Sequence, residues 1–453
     1  MRKIQTLTFL FTFFACVTFL NSIQAQNTPF GKPDSAIHPG YNLWGYAFMD
    51  FYYKGHADTA GTFNGSYHGR GGSNQYTGVP AGHTAFQSRR IYLGFDYTLS
   101  KHFMTEFLLA DEDNFNNVNT TASNVAVTGG GGGTVAVAAP AVPNGDLLAN
   151  GKSSFYLKLA NVRWHNIWNG TDLVFGQQAT PSFPLLTEVV WGYRSIERTV
   201  SDIRRTPSYD FGIGLNGVFD PSTRNVGYDL LVANGTSAKP EPYTNNFKWY
   251  YGDIWAKLFD KHLLLDLYAD YYRLNWTPAW HNSRQMIKGY VAYTSPKLTI
   301  GVEAFINTLK NDAFLSNTAA NGGGVDTANA VAQAISGYVR GKIVGDKLGF
   351  FARVDHYTPN KNLTNSNITN YTKVVGHTSN YIEPTADFIS NGGAANGNNV
   401  TETFMSLGLD FTPIKNVHIM PNVWYDHYHT LGTPTPDGHD ISYRMTFYFI
   451  YGK

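Results

Sequence analysis

Ile441-Ser442-Tyr443-Arg444-Met445-Thr446-Phe447-Tyr448-Phe449-Ile450-Tyr451 is the stretch that decides the fold. Ile441, Tyr443, Met445, Phe447, Phe449 and Tyr451 fall on one side, while Ser442, Arg444, Thr446 and Tyr448 fall on the other. A strand sends successive side chains to opposite faces, so this segment has one apolar, aromatic face and one wet face. Near the C-terminus of an exported chain, that is the pattern of the closing strand of an outer-membrane barrel. It sets the solvent as lipid outside and water inside.

Working outward, about sixteen alternating segments appear, each of roughly nine to thirteen residues, the length a tilted membrane strand needs. They centre on 41–53, 84–98, 101–111, 153–165, 171–179, 208–219, 225–235, 248–259, 262–273, 285–295, 297–308, 334–345, 347–357, 402–412, 416–427 and 441–451. Tight and long connections alternate. Leu99-Ser100-Lys101, Phe259-Asp260-Lys261-His262, Thr294-Ser295-Pro296-Lys297, Gly345-Asp346-Lys347 and Thr412-Pro413-Ile414-Lys415-Asn416 are tight and rich in turn residues. The long ones run roughly 54–83, 112–152, 180–207, 236–247, 275–284, 309–333, 358–401 and 428–440. Short turns at one end and long loops at the other predict an all-β, transmembrane antiparallel β-barrel with extracellular loops and periplasmic turns. A soluble sandwich also alternates, but its connections do not sort into two length classes.

Parity assigns the faces. Ile335, Val339 and Ile343 share a side with Gly337 and Gly341, opposite Tyr338, Arg340 and Lys342. Asp266, Tyr268 and Asp270 oppose Leu263, Leu265, Leu267 and Ala269. Ile91, Leu93, Phe95 and Tyr97 are read as facing lipid, with Arg90, Tyr92 and Asp96 inward. A charge on the lipid face costs about 2–4 kcal/mol at the midplane, so the parity of Arg and Asp carries the assignment. Inward-facing Arg90, Lys158, Lys288, Arg340, Lys342, Arg353 and Arg444 form a basic ladder in this reading, opposed by Asp50, Asp96, Asp355 and Asp410.

The N-terminus predicts export. Arg2 and Lys3 precede an uncharged apolar run from Leu7 to Leu20, and cleavage after Ala25 leaves residues 1–25 as a signal peptide and 26–453 as one barrel. Cys16 lies inside that run with Val17 to Leu20 still to come, so it reads as a small apolar residue rather than a lipidation site. Loss of the signal removes Arg2, Lys3 and the single cysteine from a chain with 34 basic and 33 acidic side chains. The product is near neutral and cysteine-free, so bulk charge gives no sign of a nucleic-acid partner, and a barrel closed by backbone hydrogen bonds needs no disulfide. Aromatics make up 15% of the chain and charged residues only 15%, as a surface split between lipid and water requires. The low-complexity stretches, Gly129 to Gly133, Ala319 to Gly324 and the Asn-rich run through 360–400, all fall in long loops.

The third long connection, 180–207, stands apart. It holds Arg194, Arg198, Arg204 and Arg205 against Glu188, Glu197 and Asp202, with Trp191, Tyr193 and Ile196 as candidate anchors on the inner wall. Folded inward, it narrows a wide aqueous barrel, and its guanidinium forks suit phosphate, sulfate or carboxylate. The alternative is that these arginines pair with lumen carboxylates such as Asp266 and Asp270 and pin the loop. Both roles stay open for different residues.

The stretch FGQQATPSFPLLTEVVWGYRSIERTVSDIRRTPSYDFGIGLNG (residues 175–217), with NVGYDLLVANG after it (225–235), resembles the phosphate-selective porin O/P family of outer-membrane channels. The likeness lies in a strand ending in a Gly-Gln region and a loop with an aromatic and the Glu197-Arg198 pair. A Gly-spaced strand and one from Tyr228 to Asn234-Gly235 follow. It covers about sixty residues and is architectural elsewhere. It implies a sixteen-stranded, trimeric channel with the third loop in the lumen, read here as passing small hydrophilic solutes with a mild preference for anions, phosphate among them. The chain departs from the family at Tyr209, where Arg is frequent, in the absence of a legible cluster of loop lysines, and in its ending Tyr451-Gly452-Lys453.

Other constellations carry less. Asp111-Glu112-Asp113-Asn114 offers hard oxygens for calcium but opens a long loop, and His427 and His429 share a face without further ligands in view. Both read as rim features, so no metal and no cofactor is expected. Gly151-Lys152-Ser153 lacks the glycine spacing of a phosphate-binding loop, and no Gly-x-Ser-x-Gly stretch or Ser/His/Asp set can be assembled, so no enzyme is indicated. Tryptophans such as Trp249 and Trp255 read chiefly as membrane girdle, a few as a sugar-stacking path. The readings kept beside the diffusion channel are an oligosaccharide-specific porin and a non-conducting barrel acting as surface receptor or enzyme.

Overall fold

The computed structural model describes residues 40–57, 81–112, 155–204, 207–235, 247–277, 280–316, 325–362, 364, 400–431 and 437–452, with short pieces at 118–119, 125–128, 134–137 and 142–143. The predicted signal peptide, Asp113, Asn114, Gly151 to Ser153 and Arg205 lie outside these residues.

All sixteen predicted strands are present. They are β1 (Gly40–His56), β2 (Thr84–Thr98), β3 (Phe103–Glu112), β4 (Tyr156–Trp168), β5 (Thr171–Ala179), β6 (Tyr209–Val218), β7 (Val226–Ala233) and β8 (Trp249–Leu258). There follow β9 (Leu263–Thr277), β10 (Trp280–Thr294), β11 (Leu298–Ser316), β12 (Val325–Val344), β13 (Leu348–Thr358), β14 (Val400–Ile414), β15 (Val417–Thr430) and β16 (Gly438–Tyr451). Each strand pairs antiparallel with the next, and β16 returns to β1 from Gly45 opposite Tyr451 to Lys54 opposite Ser442, closing the barrel. Closure leaves no edge strand, so each strand of the wall is paired on both sides.

The closing strand is two-faced as its sequence requires. Tyr443, Phe447 and Phe449 are open on the outside, whereas Ser442, Arg444 and Thr446 are buried within. The same division holds for β9, where Leu265 and Leu267 are exposed and Asp266, Tyr268 and Asp270 buried, and for β12, where Ile335 and Ile343 oppose Tyr338. The outside is therefore a continuous belt of exposed Leu, Ile, Val and Phe around a barrel whose buried side carries the charges. Such a belt is stable against hydrocarbon and not against water. No helix among the described residues is long and apolar enough to cross a membrane.

Two bulges alter the parity. In β2, Phe48 faces Arg90 and Met49 faces Ser88, so Arg89 is an extra residue and both arginines turn inward. In β4, Leu108 faces Leu159 and Leu109 faces Leu157, so Lys158 and Leu159 likewise both point inward. The wall is also uneven in height. β11 and β12 have 19 and 20 residues, well beyond the roughly 9–11 that a tilted strand needs to cross a bilayer. Sequence periodicity ended them earlier, near residues 308 and 334, because the apolar–polar alternation of the sequence stops there.

Leu407 sits mid-strand in β14 with 63% of its surface open on the belt. Leu407→Arg is expected to cost about 2–4 kcal/mol of folding stability in lipid vesicles, read from urea titrations. Ser406→Ala, on the buried side, serves as the contrast, and equal small losses for both would show that the belt does not meet lipid.

Candidate functional site

Residues 180–204 leave the long-loop end of β5 and pack against inward-facing side chains of strands from most of the barrel. Leu185, Leu186, Val189 and Val190 supply an apolar surface for the short helix α1 (Thr187–Trp191). Gly192, at φ 69°, stops it in the left-handed conformation, donating its N–H to Glu188 O at 2.9 Å. A turn at Tyr193, whose carbonyl accepts from Ile196 N and Glu197 N, then leads to a second short helix, α2 (Val200–Arg204), with Asp202 in its first turn.

Between the helices the backbone carbonyls have no ladder to join, and burial makes an unpaired carbonyl costly. Wall arginines satisfy them. Arg89 Nη1 donates to Ser195 O at 3.0 Å and Ile196 O at 3.1 Å, and Arg444 Nη1 to Ile196 O at 3.1 Å. Arg353 Nη1 donates to Arg198 O at 2.6 Å, and Arg340 Nε to Val190 O at 3.2 Å. Lys288 Nζ reaches Thr187 Oγ1 at 2.9 Å, and Ser201 Oγ donates to the Glu303 carboxylate. A guanidinium suits this role because it offers five donors in a fixed fork, enough for a carbonyl and a counter-ion together. Arg444 and Arg89 share Asp50 at 2.6 and 3.3 Å, Arg353 pairs with Asp355 at 2.7 Å, and Lys288 with Asp266 at 3.0 Å.

Aromatic packing holds the same segment. Trp191 is fully buried, donates Nε1–H to Glu197 O at 2.8 Å, and meets Tyr338 and Phe351 with ring centroids 4.8 and 6.4 Å away. The Arg353 guanidinium lies 5.3 Å over the Trp191 ring. Tyr193 packs at a tilt against Phe351, ring centroids 4.8 Å apart, and donates its hydroxyl to Asp410 at 2.9 Å. Burial, and then the Asp410 carboxylate, push the Tyr193 hydroxyl pKa above its ordinary value, so it remains a donor.

Arg194 and Arg198 are engaged chiefly by carboxylates of the loop itself. Arg194 pairs with Glu188, with Asp202 at 3.0 Å and with Glu112 at 3.9 Å, and Arg198 with Asp202 at 3.2 Å. Glu197 caps the N–H of Arg198 at 2.7 Å. Arg204 closes α2, and Arg205 lies outside the described residues. Asp266 and Asp270 do not meet the loop arginines. Asp266 is taken by Lys288, and Asp270 accepts from Tyr268 Oη at 2.8 Å and Met286 N at 3.0 Å. Arg90, at 3.6 Å, and Lys158 both turn to Glu112, so the residue considered for calcium is an anchor for cations instead. Lys342 points to Asp346 at 2.6 Å at the short-turn mouth. The inward cations are thus brought together, but as ion pairs and loop anchors rather than as a free ladder.

Sequence reading passed over two features. Arg89 was invisible to strict alternation, although two consecutive arginines in a lipid-facing strand already call for a bulge. The second is a collar of lysines. Lys101, Lys261, Lys297, Lys347 and Lys415 stand at five different short turns, all exposed, and the barrel gathers them at one mouth. Lys297, Lys347, Lys415, Lys342 and Arg340 line a cavity of about 610 Å³ there, with Asp346, Asp410, His418 and Tyr193.

Trp249 and Trp255 correct the girdle assignment. Trp249 is buried at 4% exposure and stacks between Tyr251 and Tyr272 at 5.1 and 4.5 Å, and Trp255 donates to Asp229 at 3.2 Å, so both face inward. Burial closes the Trp249 stack to a sugar. His427 and His429 share Asp437, at 3.4 and 2.6 Å, on the long-loop rim. No set of three metal-ligating groups that could hold an ion occurs among the described residues.

No family model matches this chain, and no curated protein matches it in sequence. Solved structures match its fold. The outer-membrane channel DcaP of Acinetobacter baumannii aligns with a TM-score of 0.53 at 8% identity, over 95% of this chain and 100% of that one. An anion-selective porin from Comamonas acidovorans gives 0.50 at 10%, over 91% and 100%, and OprB of Pseudomonas putida 0.50 at 11%, over 91% and 94%. At these identities the likeness is one of fold, the sixteen-stranded porin barrel.

Removing one anchor leaves its counter-ion buried and unpaired, typically at a cost of about 3–5 kcal/mol. Arg353→Ala is expected to free the segment while the barrel stays closed, so that trypsin cuts after Arg194 or Arg198 in folded, heat-modifiable protein. Continued resistance would show that the arginine anchors do not hold the loop.

Proposed function

We propose that this chain is an outer-membrane porin through which small hydrophilic solutes diffuse passively, with a mild preference for anions, phosphate among them. The observation that carries the reading is the closed barrel of sixteen strands with an apolar exterior and a charged, loop-filled interior. A protein dressed for hydrocarbon outside and ions inside has a surface for the outer membrane and a bore for water. Export by the N-terminal signal and assembly as a homotrimer belong to the same proposal, the latter resting on the resemblance to the phosphate-selective O/P porins.

Residues 180–207 form the constriction in this reading. Trp191 and Tyr193 shape it, and Glu197, Arg194, Arg198, Arg204 and Arg205 set its charge. Arg194 and Arg198 are balanced by Glu188 and Asp202, so the lean toward anions falls chiefly to the lysine collar. Exposed lysines around one mouth raise the local anion concentration by a field that salt screens within about 8–10 Å.

Reversal potentials across a planar bilayer under a potassium chloride gradient test this. The native protein should conduct and favour chloride. Lys297→Gln, Lys347→Gln and Lys415→Gln together should move the reversal potential toward the cation side. Block of the chloride current by millimolar phosphate supports the phosphate assignment. Absence of current contradicts the channel, and an unmoved reversal potential contradicts the collar.

A further inference from the structure

A second cavity, of about 360 Å³, opens at the short-turn end between the apolar face of the clamped segment and strands β4 to β9. Its floor is Leu185, Leu186, Val189 and Val190 from the loop with Leu264 from β9, and Val189 is 41% exposed into it. Trp255 lines one side, with the Lys257 ammonium 4.9 Å from its ring. The two carboxylates present are occupied. Asp172 takes Arg163 at 3.2 Å and His165 at 3.0 Å, while Asp229 takes Asn216 at 2.6 Å and Trp255 at 3.2 Å.

Arg224, Lys257 and Lys261 complete the lining, and none of the three has a salt-bridge partner among the described residues. The four cations of the lining, Arg163 among them, outnumber its two carboxylates, so an excess of positive charge borders an apolar, water-accessible surface beside an indole ring. An inorganic anion satisfies the charges and leaves the leucines, valines and indole in water. A neutral apolar molecule does the reverse.

We propose that this cavity binds a small carboxylate with a flat apolar body, an aromatic acid in its simplest form. The carboxylate lies toward Arg224, Lys257 and Lys261, and the ring lies against Leu186, Val190 and Trp255. The volume is within the range of small-molecule sites, and the floor is part of the clamped segment, so the ligand touches both wall and loop. Binding does not require conduction, so the proposal stands apart from the channel reading.

Calorimetric titration of the detergent-solubilised protein tests it, with benzoate as probe and acetate, phosphate and benzyl alcohol as comparisons. Benzoate is expected to bind saturably, with acetate, phosphate and benzyl alcohol each weaker by about tenfold or more. Lys257→Gln with Lys261→Gln should weaken benzoate by at least about tenfold and leave folding intact by heat modifiability. Should the double variant fail to fold, Lys261→Gln alone, in an exposed turn, is expected to weaken benzoate measurably. Equal binding of benzoate and acetate, equal binding of benzoate and benzyl alcohol, or benzoate affinity unchanged in the lysine variants each overturns the proposal. Phosphate binding as tight as benzoate would assign the cations to inorganic anions and overturn it as well.

Discussion

Buried backbone carbonyls that no strand can pair impose the constraint on which the interior depends. A closed barrel satisfies its own peptide groups around the wall, but a segment packed inside it has none of those ladders available. Here the missing donors come from Arg89, Arg340, Arg353 and Arg444, which project from β2, β12, β13 and β16 and end on carbonyls between Val190 and Arg198. Each inward guanidinium then needs a counter-charge, which places Asp50 and Asp355 in the wall. The charges of the lumen follow from the loop's backbone as much as from any solute.

That arrangement separates two kinds of cation. Those at mid-barrel are spent on structure, with Arg90 and Lys158 on Glu112, Lys288 on Asp266 and Arg194 on Glu188 and Asp202. Those at the short-turn end, the collar lysines other than Lys101 together with Arg224 and Lys257, border the two cavities. A mobile anion meets the second set first. The aromatic residues divide in the same way, since Trp191 and Trp249 are packing elements while Trp255 borders a cavity.

The wall was legible in sequence because burial by lipid on one side and polar groups on the other enforces a period of two, and sixteen segments carried it. The parities of Arg90, Tyr92, Asp266, Asp270, Tyr338 and Arg444 followed from that alone. Periodicity failed where local geometry broke it, at the bulges that turn Arg89 inward and bury Leu159 beside the inward Lys158. Residue type, not periodicity, misled for Trp249 and Trp255, which suggested an interface although their parity pointed in. The loop's residues were identified, but not their partners, because an arginine and a carbonyl some 150 residues apart, as in Arg353 and Arg198, are joined only by closure of the barrel. The collar was written openly, one lysine in each of five turns, yet only the ring brings those turns together.

Amide hydrogen exchange of the detergent-solubilised protein, followed peptide by peptide through residues 185–202, tests most directly whether wall arginines make this segment part of the barrel interior. Protection there is expected to match that of the adjoining strands β5 and β6, with exchange rising together across the segment when the barrel unfolds. Exchange as fast as in an unstructured peptide, with β5 and β6 still protected, would contradict it.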